Sequence, residues 1–135
     1  STLFPYTTLF RSVTSHQFNK EPHTIHDLIS EHLLVREKGS GTRNILEQSL
    51  IAHGLHISNF IHYTQVENMH TIMNLLKKDC GISFLYKIAV EKELKSKELK
   101  EITLDDFKLQ HDFDIIWEKE SIYTDKYLSI SEEFI

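Results

Sequence analysis

Met69, Ile72, Met73 and Leu76 recur at i, i+3, i+4 and i+7, so one helix face is apolar there and must lie against a flat partner. Lys77 and Lys78 close the stripe, where cations suit the negative end of the helix dipole. The flanking segments are too short for helices. Ile57 to Gln65 is partly β-branched and aromatic, and Cys80 to Tyr86 is a brief apolar run, so both are expected to be strands. The same alternation continues outward. His32 to Arg36 reads as a buried strand, and Glu37 to Gly41 as a turn. A helix is expected from Thr42 to His53, with Gly54 as its stop. Beyond Tyr86 come a charged helix, Ala89 to Lys97, and two strand candidates, Leu99 to Leu104 and Leu109 to Trp117, separated by a turn at Asp105 and Asp106. A closing helix is expected over Thr124 to Phe134. Strands alternating with helices predict an α/β domain with a parallel or mixed sheet.

At 135 residues and 15.9 kDa, this is one domain or a piece of a larger one. Fifteen basic against 20 acidic residues leave a formal charge of -5, with no Lys/Arg block of the kind that makes a free-standing nucleic-acid module. The single cysteine forms no internal disulfide and fits a reducing, cytoplasmic setting. No apolar run approaches the roughly 18 residues that would suggest a membrane span.

The opening segment has a separate reading. Residues 1–12 are apolar and aromatic, without the basic region or cleavage site of a signal peptide. Codons for Thr2 to Ser12 resemble a common sequencing-library adapter. The segment is therefore expected to be an adapter-derived artefact standing outside the fold, with a genuine N-terminal strand as the alternative. A chain that then opens at Val13 without an initiator Met is expected to continue upstream.

Chemistry concentrates at Arg36 to Arg43. Gly39 and Gly41 allow a tight turn with close backbone approach, while the first-turn amides of the following helix and the hydroxyls of Ser40 and Thr42 converge on one space, as an anion cradle requires. Arg43 in the first turn opposes the dipole and is better tolerated opposite an anion. Alternatively, Ser40 or Thr42 is only an N-cap and Arg43 is solvated. No Gly-Lys-Ser/Thr and no GxGxxG occurs, which disfavours nucleotide chemistry. Gln65 and Asn68, at the next helix start, are a second source of polar groups at the carboxyl end of the sheet, with Asn68 as a plain cap the alternative. The nine histidines show no HExxH, and Cys80 has no paired His, so ordinary packing or surface roles are expected, with no metal, no cofactor and no catalytic residues.

In their order, the strand ending at Arg36, the Glu-Lys-Gly-Ser-Gly-Thr-Arg turn, Val66-Glu67-Asn68 opening the Met/Ile/Leu helix, and Gly81-Ile82-Ser83-Phe84-Leu85 resemble the effector-binding domain of LysR-type transcriptional regulators. The likeness runs from about residue 21 to 134. Tyr86 stands where the family often has Pro, and Asp79 where it often has Gly; Asp tolerates the left-handed conformation. The resemblance implies a periplasmic-binding-protein-like (type 2) fold, here partial. Residues 21–86 would form one near-complete Rossmann-like subdomain, and residues 99–135 the crossing strands and the return into the other. It further implies effector contacts at Ser40, Gly41, Thr42, Arg43, Asn68 and Phe84, a small anionic effector, and a homo-oligomeric parent. That parent would reach DNA through a helix-turn-helix absent from this sequence. A solute-binding protein of a transporter is the alternative of the same fold. An enzyme acting at Ser40 to Arg43 would need a general base that the sequence does not place. With residues 1–12 set aside, the strands between Leu99 and Trp117 are expected to lack sheet partners.

Overall fold

Helix α2 (Met69–Lys77) buries Ile72, Met73 and Leu76 as its stripe requires. The computed structural model describes residues 2–107 and 110–117. Around α2 run β1 (Thr2–Ser15), β2 (His32–Val35), α1 (Gly41–Ala52), β3 (His62–Gln65), β4 (Ile82–Tyr86), α3 (Lys87–Lys95), β5 (Leu99–Ile102) and β6 (Gln110–Trp117). The expected closing helix lies outside the described residues.

The sheet order is β3-β2-β4-β1-β5. Strand β2 pairs in parallel with β3 and β4, whereas β1 runs antiparallel to both β4 and β5, so the α/β expectation resolves as a mixed sheet. Side chains alternate between its two faces, as strand geometry demands. Leu33, Val35, Ile82 and Phe84 pack with Leu46 and Leu50 of α1. Leu34 and Leu85 face the other way, onto Ile72, Met73 and Leu76 of α2 and Val90 of α3. Two buried hydroxyls are satisfied by backbone: Ser83 donates to the Leu34 carbonyl (2.7 Å) and Thr14 to the Gly81 carbonyl (3.0 Å). Gly81 is required by its neighbour, because a Cβ there would lie 2.4 Å from the His32 carbonyl oxygen. Asp79 takes the left-handed conformation expected of it (φ 60).

Strand β1 takes in Thr2 to Ser12, residues expected to stand outside the fold, and pairs from Phe10 to Thr14 with β4 and from Ser12 to Ser15 with β5. Phe10 is buried and packs its ring 4.4 Å from that of Tyr86. The alternating aromatic and β-branched run has high strand propensity, and the free edge of β4 takes it up. The same pairing corrects the prediction of partnerless strands: β5 pairs with β1, and β6 pairs with the other half of β1, from Thr2 to Leu9. The expected strand over Ile57 to Gln65 is shorter. Ile57–Asn59 is a 3-10 turn, with the Asn59 side chain accepting from the His56 amide (2.7 Å), and pairing begins at His62.

Candidate functional site

Helices α1, α2 and α3 all start where the parallel strands β2, β3 and β4 end, so the polar first turns gather along one sheet edge. At this edge of an open α/β sheet, chain connections diverge and leave room for a ligand.

At α1 the turn is shaped by Gly39, whose φ of +93 suits glycine, and by the Ser40 amide donating to the Glu37 carbonyl (3.2 Å). Ser40 then takes the N-cap position with extended backbone, and its carbonyl accepts from Asn44 (3.0 Å). Its hydroxyl does not cap the helix. The Oγ atom is buried and has no hydrogen-bond partner among the described residues, in a side chain only 5 % exposed. Thr42 beside it is equally buried. No acidic residue stands in the first turn to offset the helix dipole.

Arg43 is not solvated. Its side chain is about nine-tenths buried, with Nε donating to Glu47 (2.7 Å) and Nη1 to both the Arg36 carbonyl (3.1 Å) and the Gln65 amide oxygen (3.2 Å). One guanidinium thereby ties α1 to the ends of β2 and β3. This resolves the cation at a helix start: Glu47 neutralises it one turn on, and the fork points at backbone and amide oxygens. Next to it, Arg36 pairs with Glu37 (3.1 Å) and holds that carboxyl below its ordinary pKa. A cavity of about 250 Å³ lies alongside, lined among others by Lys38, Arg43, Glu47, His56 and Tyr63.

Asn68 behaves as a cap. Its side-chain oxygen accepts from the amides of His70 (2.8 Å) and Thr71 (3.2 Å), and the residue is exposed. Phe84 lies in the core, with its ring 5.6 Å from that of Phe107, below the edge where the helices start. The structure thus brings Ser40, Gly41, Thr42 and Arg43 together, joins Gln65 to them through Arg43, and leaves Asn68 and Phe84 with structural partners of their own. Glu47 and Gln65 shape the site: Gln65 was expected at this end of the sheet but not as a partner of Arg43, and Glu47 carried a local signal in its i, i+4 spacing from Arg43. Among the described residues there is no group of three or more metal-ligating side chains, and no helix is long and apolar enough to cross a membrane.

The family model described as LysR substrate binding domain matches residues 10–125. Among curated relatives, the chain is 31% identical over 93 residues to the HTH-type transcriptional regulator CbbR of Rhodospirillum rubrum, covering 69% of this chain and 30% of that protein. It is 29% identical over 83 residues to the uncharacterized HTH-type transcriptional regulator YeiE of Escherichia coli K12, covering 62% of this chain and 27% of that one. The chain therefore spans less than a third of these relatives. Among solved structures, the Synechocystis PCC6803 CcmR regulatory domain in complex with 2-PG superposes with a TM-score of 0.70 at 19% identity, over 97% of this chain and 67% of that one. The effector binding domain of QuiR in complex with shikimate gives 0.64 at 16% identity, over 96% and 63%. At such identities these two likenesses show the fold alone.

Proposed function

Because this chain belongs to the LysR substrate-binding-domain family, a family of regulators rather than enzymes, we propose that it senses a small anion for a bacterial LysR-type transcriptional regulator. The observation that carries the reading is Ser40: a buried hydroxyl without a partner among the described residues, at a helix N-terminus that it does not cap. A buried polar atom left unmade costs about 1–3 kcal/mol, which a ligand oxygen would recover. The positive end of the helix dipole favours negative charge at the same point. In this reading Ser40, Gly41 and Thr42 contact the effector directly, Arg43 holds the cradle in shape, Asn68 borders it, and Phe84 supports it from the core. The complexes of CcmR with 2-PG and QuiR with shikimate support it as instances of small molecules held by domains of this fold.

Residues 21–86 would be the second subdomain, and residues 99–135, with β1, the crossing strands and return to the first. The effector acts by binding one arrangement of the subdomains more tightly than another. That bias would be read out in the cytoplasm by a homo-oligomeric parent through a helix-turn-helix on DNA. Residues 2–12 remain adapter-like in their codons, and the genomic reading frame upstream of Val13 tests both points. A helix-turn-helix with a basic recognition helix supports the regulator; a signal peptide sinks it in favour of a transporter's solute-binding protein.

The direct test is thermal-shift screening of the full-length protein with small carboxylates, sulfate and phosphate. A stabiliser is expected, and Thr42→Ala should abolish its shift. A shift that survives in the variant removes Thr42 from the site.

A further inference from the structure

The link that leaves β5 toward β6 is fastened to the second subdomain at several points. Asp105 donates its amide to the His23 carbonyl (2.7 Å), and Ile25 donates its amide to the Asp106 carboxylate (3.0 Å). Phe107 packs edge-on against the ring of His53, 4.9 Å between centroids. A further contact runs through the His53 imidazole at the end of α1. Its Nε2 lies 2.6 Å from the Asp106 carbonyl oxygen and its Nδ1 2.9 Å from the Ser49 carbonyl oxygen. Carbonyl oxygens only accept. A neutral imidazole carries one N–H and would turn a lone pair toward the other carbonyl, whereas the imidazolium donates to both.

We propose that the His53 imidazolium is a proton-dependent latch that holds the Asp105–Phe107 link against the end of α1, and that losing the proton loosens it. The regulatory consequence rests on the receptor reading above, in which this link is one of two strands crossing between subdomains; the proton state of His53 would then bias their arrangement.

The surroundings are consistent with this. The Ser49 and Asp106 carbonyls, with the Asp106 charge adding to them, raise the His53 pKa above its ordinary value against a lesser opposing effect of burial. Of the other charged groups nearby, Asp105 lies 3.9 Å from His23, and Asp27 accepts from the amides of His23 and Thr24. Arg43 and Glu47 of α1 pair with each other, and β4, which supplies Phe84, carries no charged residue. His26 and His56 sit on the neighbouring turns. A group whose folded-state pKa is raised stabilises fully below its unfolded value, near 6.5, and loses that contribution as pH rises through the folded value.

The test is amide exchange of residues 103–107 in the full-length protein at about pH 5.5 and 8.5, corrected for intrinsic rates, with His53 titrated by NMR. Opening linked to one proton changes by at most about tenfold per pH unit, so a gain in exchange at the higher pH is expected, its size set by how far folding raises the His53 pKa. His53→Gln should remove that dependence. His53→Phe, which keeps a ring against Phe107, should exchange fast at both pH values. Equal protection of the wild-type link at both pH values overturns the latch, as does titration of His53 at or below its ordinary value. Both readouts stand even if a variant fails to fold. Anion-induced stabilisation is scored separately: its absence sinks the receptor reading, while exchange decides the latch.

Discussion

Helices α1 and α2 start at the same edge of the sheet, each one turn beyond a parallel strand, yet their first turns are completed in opposite ways. At α2 the exposed Asn68 side chain takes up two of the first-turn amides, and among the described residues no side-chain oxygen or nitrogen of that helix start is left buried without a partner. At α1 the residue in the equivalent position, Ser40, has a hydroxyl able to do the same, is buried, and does not. Effort is spent instead on Arg43, which pairs with Glu47 of its own helix and uses two further hydrogen bonds to hold the strand ends beneath the helix start. One helix start is closed by its own N-cap side chain, and at the other the N-cap hydroxyl is held back from that role. A buried hydroxyl held back in this way is worth keeping only if something from outside pairs with it.

If that contrast is right, mutations should separate stability from binding differently at the two ends. The largest stability loss is expected at Arg43. Arg43→Ala removes bonds to Arg36 and Gln65 and leaves Glu47 without its partner, at a cost of about 2 kcal/mol, discounted because the Glu47 carboxylate is 38 % exposed. Chemical denaturation measures it, and a change under about 0.5 kcal/mol would mean that the fork does not hold the edge together. Next comes Asn68→Ala, which should cost about 1 kcal/mol, the usual value of an N-cap, while leaving anion-induced stabilisation in place. Loss of the anion response there would break the contrast, since Asn68 would then belong to the ligand as well as to the helix.

How far this was legible in the sequence follows the range of the interactions. The Met69 stripe and the β2, α1 and β4 segments were readable because periodicity is local, and Asp79 was correctly tolerated in a left-handed turn. The N-terminal strand is legible only as an alternative, because the codon likeness points away from it and the pairing that holds Phe10 and Ser12 spans more than seventy residues to β4. At the site, spacing placed Ser40 to Arg43 together but left Asn68 open between cap and ligand contact. Local sequence offers an Asn the same position in either role. Gln65 as the acceptor for Arg43, 22 residues away, and Asp106 as the partner of His53, 53 residues away, depend on which elements become neighbours. The unpaired state of the Ser40 hydroxyl is less accessible still, because it is a property of everything packed around it.

The smallest expected change in stability is therefore the most telling. Ser40→Ala at an ordinary N-cap would cost about 1 kcal/mol, but here the hydroxyl makes no cap bond, and removing it relieves a buried oxygen without a partner. Denaturation in the absence of anions should show a change within about 0.5 kcal/mol of zero, and a slight gain is in keeping with the relief of an unmade bond. With the stabilising anion present, the same variant should lose most of the thermal shift. A full cap-sized loss without ligand would mean that Ser40 closes α1 as Asn68 closes α2, and the difference between the two helix starts would disappear.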